Sequence, residues 1–336
     1  MGIRGRDRDT NRPDRLIFGL ASIPTAGRMY TTTEGRMSTR SEIRPKRPDA
    51  GTWNVDTLEN GVTRVTFGTT LWVLLSSDWH WDSVKCERDK LKADLELAKR
   101  YKAAVLSIGD LFDVMGGKYD PRSNGKYDVR PEFSRGNYFD DVVSQCADWL
   151  QPYGDQLALI TPGNHETAVR KRMETCLTTR LVERLRMGGS KVRAGGYAGW
   201  VLFRSIAAAN RSGVHKLWYH HGYGGGGPVT RGVIDFSRYL VDTDADVVHA
   251  GHIHQRTLVE ATRQRLTSNG VARVKPLHLV RSASYKQESL TDGWAVEKGM
   301  SSRPLGGWWM RLRWNHDCTE LQASFHDAPH DTKAQS

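Results

Sequence analysis

From about residue 62 the chain alternates between short apolar runs and longer stretches of helical period. Residues 62–67 and 71–75 predict strands, the second a continuous apolar run of the kind covered on both faces. Residues 83–101 predict a helix, because Leu91, Leu95 and Ala98 recur at i, i+4 and i+7. Residues 103–108 form another buried strand in this reading. Residues 137–150 form a helix with Phe139, Val142, Val143, Cys146 and Leu150 on one side. A strand over 156–160 and one long basic helix over 165–187 follow. Short strands are expected around 200–203, 216–219 and 247–249, and one or two antiparallel strands between 308 and 325. Strands and helices that alternate and then give way to strands predict an α/β core with a β-rich second half.

Residues 1–50 show no such period. They are rich in Arg, Thr, Ser, Pro and Gly and predict a disordered basic tail. The remainder, 51–336, reads as a single domain, with a motif-bearing core over 70–256 and a β-rich completion over 257–330.

Charge and composition narrow the class. No apolar run approaches the roughly 20 residues that a membrane-spanning helix needs, which argues against membrane insertion. Cys86, Cys146, Cys176 and Cys318 stand at irregular spacing without a CxxC pair. That argues against a disulfide framework and a zinc ribbon and fits a reducing compartment, the cytoplasm. The net charge of +11 favours a polyanionic partner, nucleic acid first among them. Residues 1–50 hold 11 Lys and Arg against 6 Asp and Glu, so almost half of that excess sits in the tail.

Five short segments carry metal-ligand chemistry, each behind an apolar strand. They are Asp78-Trp79-His80, Gly109-Asp110-Leu111-Phe112-Asp113, Gly163-Asn164-His165-Glu166, His220-His221-Gly222 and Gly251-His252-Ile253-His254. Open α/β sheets bind ligands at the carboxyl ends of their strands, so side chains from five strand ends can converge there. The period of two in Asp78-x-His80 and His252-x-His254 is expected to put each pair on one face. Carboxylate, imidazole and one amide oxygen suit Mn²⁺, Fe or Zn²⁺ better than Ca²⁺ or Mg²⁺. Eight donors would crowd one ion but not two sharing a bridging carboxylate.

In this order and spacing the segments resemble the calcineurin-like metallophosphoesterase superfamily over residues 70–256. The resemblance implies a four-layer αββα sandwich of two mixed β-sheets flanked by helices, holding two divalent metal ions. It implies one metal on Asp78, His80, Asp110 and His254. The second would lie on Asp110, Asn164, His252 and a histidine of the fourth segment, with Asp110 bridging. His165 would lie over the substrate as a catalytic residue without binding metal, and Asp113 would orient it. The fourth ligand is His220 or His221, since a one-residue slip along a strand reverses the face. The apolar 217–219 run before it favours His220. His249 reads as structural, and His215, His278, His316, His326 and His330 as ordinary core or surface histidines.

The resemblance implies hydrolysis of a phosphoester by water activated between the two metals, with His165 assisting the leaving oxygen. Three features bear on the substrate. The loop 116–127 interleaves Gly, Lys, Arg and Tyr, as a nucleic-acid backbone with stacked bases requires. Residues 170–193 hold eight basic side chains (Arg170, Lys171, Arg172, Arg180, Arg184, Arg186, Lys191, Arg193) against Glu174 and Glu183. Four successive glycines, 224–227, permit close backbone approach to a ligand. These favour a phosphodiesterase acting on nucleic acid. A phosphomonoesterase acting on phosphoprotein or small phosphorylated metabolites is the alternative.

Overall fold

The computed structural model describes residues 52–114, 128–133, 136–208, 211–225, 232–288, 296, 299, 302–317 and 319–330. The 1–50 tail, the loop 116–127, Gly226, Gly227 and Cys318 lie outside them.

The apolar runs at 71–75 and 103–108 become β3 (Thr70–Ser76) and β4 (Ala104–Ile108), and β5 (Leu157–Thr161) follows them. These three pair in parallel. Their sheet has six strands in the order β13-β12-β3-β4-β5-β6, with β6 (Arg193–Ala194), β12 (Trp308–Trp314) and β13 (Leu321–His326). The second sheet has seven strands, β1-β2-β7-β8-β9-β11-β10. Its members are β1 (Trp53–Thr57), β2 (Thr63–Phe67), β7 (Ala198–Ala208), β8 (Arg211–His220), β9 (Val247–Ala250), β10 (Thr257–Leu266) and β11 (Ala272–Arg281). Both sheets mix parallel and antiparallel pairs.

Alternation along the strands makes the layers. Val73, Leu75, Leu106 and Ile108 of the six-stranded sheet pack on Phe67, Phe203, Leu217 and Tyr219 of the other. The opposite face of the six-stranded sheet carries Trp72, Leu74 and Val105. It buries them under α1 (Arg88–Arg100), α2 (Tyr138–Leu150) and α4 (Leu177–Met187). On the far face of the seven-stranded sheet, Val248, Ala250 and Leu279 meet Phe236 and Tyr239 of α5 (Val233–Asp242). The result is the α/β sandwich of two mixed sheets flanked by helices. No helix among the described residues is long and apolar enough to cross a membrane.

Two helices differ from expectation. The helix expected from 83 begins at Arg88, because Ser83 and Cys86 form isolated bridges with Val129 and Lys286. The long helix over 165–187 is two, α3 (Asn164–Met173) and α4, because Glu174 turns left-handed (φ 54°). The tryptophan strands β12 and β13, the antiparallel strands expected between 308 and 325, extend the β3 sheet. The second sheet is completed by the β10–β11 hairpin, whose polar run of Thr, Arg and Gln concealed it.

Candidate metal centre

The loops after β3, β4, β5, β8 and β9 leave both sheets at their carboxyl ends and meet. Asp78 and His80 follow β3, Asp110 follows β4, Asn164 and His165 open α3 after β5, His221 follows β8, and His252 and His254 follow β9. The period-two expectation for the paired ligands fails, because both pairs lie past the ends of their strands. Left-handed backbone aims them instead. Asp78, His80, Asp110, His252 and His254 have φ of 53°, 46°, 47°, 71° and 55°, five of nine such non-glycine residues among those described. Side chains other than glycine adopt this conformation at a cost that surrounding structure must offset, and such strain concentrates at functional sites.

Three overlapping groups of donors result: Asp78, His80 and His254; His80, Asp110 and His165; Asp110, His221 and His252. Asp110 belongs to two of them. Asn164 joins the third, with Oδ1 accepting from His221 Nε2 at 3.0 Å and His252 Nδ1 at 2.7 Å. His221 Nε2 lies 3.2 Å from Asp110 Oδ2, and His80 Nε2 lies 3.3 Å from His254 Nε2.

The donors fit metal ions. One oxygen of Asp78 accepts the His252 backbone N–H at 2.9 Å and the Ser77 hydroxyl. The other, Oδ1, is buried without a hydrogen bond, 3.4 Å from His254 Nε2. A buried carboxylate oxygen left this way is costly unless a cation meets it. Protons partly play that role here. Burial works against a charged His221, but the Asp110 carboxylate outweighs it and pushes the ring up to about 10. Burial likewise opposes the charge on His254, which Asp78 and Glu288 push up to about 9. Asp110 itself is held well below the usual carboxylate range, its burial overcome by His165 and His221.

His220 does not enter the cluster. Leu217, Tyr219 and His221 face the inter-sheet core, whereas Trp218 and His220 face α5, where the His220 ring packs on Trp218 and Tyr239. The preference for His220 is therefore corrected by the strand's alternation. His221 continues the inward face and is fixed by Nδ1, 2.9 Å from the Ile108 carbonyl.

Asp113 also differs from expectation. Its backbone carbonyl, 2.6 Å from Nδ1, holds His165, while its carboxylate is 3.9 Å away from that nitrogen. A carbonyl only accepts, so Nδ1 carries the proton and Nε2 faces the cluster, 3.7 Å from Asp110 Oδ2. The Asp113 carboxylate instead meets His80 Nδ1 at 2.8 Å and Lys286 Nζ at 3.0 Å. Lys286 also pairs with Glu288 at 3.3 Å, and Glu288 lies 3.5 Å from His254 Nδ1.

Further supports come from Asp82, outside every motif, and from Glu166, the last residue of the third. Asp82 accepts the backbone N–H groups of Asp113 and Val114 at 2.6 and 2.9 Å. Glu166 accepts those of Asp110, Phe112 and Gly163 at 3.2, 2.9 and 2.8 Å. Gly163 has no alternative, since a Cβ there would stand 2.1 Å from Asp110 Oδ1. Lys286 and Glu288 have no sequence signal, because they follow β11 at a distance from every motif. His249 is buried with Nε2 2.8 Å from Ser282 Oγ, and burial pushes its ring down to about 3, as a structural histidine requires.

The fold and site together define an α/β sandwich with clustered Asp and His that could hold metal ions. No protein-family model matches the chain, and no curated protein matches it. Among solved structures it is similar to a conserved uncharacterized protein from Streptococcus pneumoniae TIGR4, described as a predicted phosphoesterase. That match has 12% identity and a TM-score of 0.29, covering 76% of this chain and 88% of that one. GAP50, the anchor in the inner membrane complex of Plasmodium, matches at 12% identity and TM-score 0.35, covering 76% and 84%. Vps29 from Entamoeba histolytica, in complex with Zn²⁺, matches at 11% and 0.29, covering 76% and 98%. Scores this low carry no argument about chemistry, so the functional reading rests on the side chains.

Proposed function

We propose that the protein is a calcineurin-like metallophosphoesterase of the cytoplasm that uses two divalent metal ions to hydrolyse phosphodiester bonds of nucleic acid. The observation that carries the reading is the chain of donor groups joined through His80 and Asp110, with Asp78 Oδ1 left unbonded in the first of them. Asp78, His80, Asp110 and His254 would hold one ion, and Asp110, Asn164, His221 and His252 the other. Bound there, the ions would neutralise phosphate charge and acidify water; Mn²⁺ is our choice, with Fe or Zn²⁺ fitting the same mixed donors.

The chain's own contribution is His165. Its Nδ1 proton is committed to the Asp113 carbonyl, so Nε2 is the atom that faces the substrate; only with Nε2 protonated as well would it hydrogen-bond a phosphate oxygen and give that proton to the leaving oxygen. Lys286, Asp113 and Glu288 fix the rings of His80 and His254 from behind, and Glu166 holds the backbone of the Asp110 and Asn164 loops.

For a polyanionic substrate the support is the exposed run Arg170, Lys171 and Arg172 on α3, the helix that the site itself opens. Arg180 and Arg184 pair with Asp140 and Asp148 of α2. The test is hydrolysis of end-labelled single- and double-stranded DNA by metal-stripped protein with and without Mn²⁺, beside Asp110→Asn. Mn²⁺-dependent cleavage lost in the variant is expected. Turnover of p-nitrophenyl phosphate without any DNA cleavage would replace the nuclease reading by a phosphomonoesterase.

A further inference from the structure

A cavity of about 370 Å³ opens beside the metal edge, with Arg256, Arg303, Gln255, Ser302 and Val233 among its walls. We propose that it is a phosphate subsite, which takes the phosphate neighbouring the scissile one on a nucleic-acid strand. This rests on the phosphodiesterase reading above.

Continuity with the centre is the first argument. Gln255 and Arg256 directly follow His254, and Arg303 Nη1 donates to the carbonyl of Ile253, the residue between the two histidine ligands, at 2.7 Å. Arg303 and Pro304 also border the narrow space lined by His254, Lys286 and Glu288. A strand with one phosphate on the metals would place the next within reach of this wall.

Charge is the second. Two guanidinium groups line the cavity, and among the described residues no carboxylate does. Arg256 is held flat, stacked 3.7 Å over the Trp308 ring with Nε on the Gly307 carbonyl at 3.2 Å. Its carboxylate partner, Asp327 at 2.6 Å, is 85% exposed, a pairing worth little in water and readily exchanged for a phosphate.

The helix end is the third. Val233 is the first residue of α5, a ten-residue helix whose N-cap, Gly232, supplies no side-chain hydrogen bond. Its first N–H groups and dipole therefore favour an anion. Beneath that end lies Arg281, 1% exposed, with Nε and Nη1 lacking hydrogen-bond partners. The Nη1 atom presses so close that a Cβ on Gly232 would stand 1.8 Å from it. The nearest carboxylate, Asp235, is 3.6 Å from Nη2, and the guanidinium otherwise rests on the Phe236 ring. Asp235, in the first turn of the helix, meets only the Nη2 side of this buried cation, and an anion at the helix end would meet its Nη1 side.

The test compares kcat/KM of the Mn²⁺-loaded protein for dithymidylate without a terminal phosphate and with a 5′- or 3′-phosphate. We expect one phosphorylated form to be preferred by about tenfold, the size of one charge-assisted contact. Arg303→Gln and Arg256→Gln should reduce that preference below about twofold. If Arg303→Gln fails to fold, Arg256→Gln, which makes no Ile253 contact, reads the same ratio. No preference in the unaltered protein, or one that survives both substitutions, overturns the subsite. Should neither the dinucleotides nor the end-labelled DNA be hydrolysed, the phosphodiesterase reading fails. The subsite is then read by titrating inorganic phosphate into the metal-free protein. Saturable binding weakened about tenfold by Arg256→Gln supports it; absence of saturable binding overturns it.

Discussion

The carboxylate of Asp113 lies 2.8 Å from Nδ1 of His80, and it is this histidine, not His165, that it orients. Glu288 stands in the same relation to His254, and Lys286 bridges the two carboxylates. One buried ammonium thus ties together the supports of two rings in the same donor group. Carboxylates behind ligating histidines set ring orientation and basicity.

Lys286→Met should accordingly weaken metal binding by about 10- to 100-fold without removing a ligand. Titration calorimetry with Mn²⁺ measures it. Unaltered affinity in a folded variant would show that the ammonium only fills space.

Asp110→Ala and His165→Ala should separate binding from turnover. Asp110→Ala removes the carboxylate shared by two groups and is expected to abolish both metal uptake and hydrolysis. His165→Ala should keep the metals and lower kcat by about 10²- to 10⁴-fold, the usual worth of a positioned acid. Metal analysis and steady-state kinetics on both variants decide it, and normal hydrolysis by either would sink the assignment.

The histidine pair makes a sharper test, because its members are neighbours on opposite faces. His221→Ala should lose metal affinity, since Nε2 points to Asp110 and Asn164. His220→Ala should keep it and instead loosen the packing with Trp218 and Tyr239. Affinity lowered only by His221→Ala is the expected pattern; the melting temperature should fall in both, because His221 is itself buried against Asp110 and the Ile108 carbonyl.

That pair also shows where the sequence is readable. Every strand that precedes a motif was legible, because each is an apolar run ended by Asp, Asn or His, and those ends do converge. The inward member of His220-His221 was decided by which apolar residues face the other sheet. Leu217 and Tyr219 do so and Trp218 does not, a tertiary fact that period alone leaves open. Lys286 and Glu288 were illegible for another reason. They reach the site from a loop after β11, more than 30 residues beyond His254, and no spacing rule links them to it. The β10–β11 hairpin escaped notice because Glu, Thr, Arg, Gln and Lys interrupt its apolar residues along both strands.

The last expectation concerns pH. In metal-free protein His221 and His254 are raised to about 10 and about 9, against 6.5 when unfolded. A histidine raised on folding stabilises fully below its unfolded value and loses that contribution as pH climbs towards its folded value. Between pH 7 and about 8.5 the folded protein therefore holds protons that the unfolded chain has released. Stability should fall by about 1.4 kcal/mol per pH unit for each ring. Cys86, pushed up to about 12 by burial, adds to the decline only near and above pH 9, where an unfolded thiol ionises. His249, depressed to about 3, acts below the window. Metal ions should replace the two protons, so Mn²⁺ binding at pH 7.5 is expected to release protons and to flatten the dependence. Melting temperatures across the window, in chelator and in Mn²⁺, test both halves. A flat profile in chelator would mean that the rings are neutral in the folded chain and that the carboxylates are balanced by other groups.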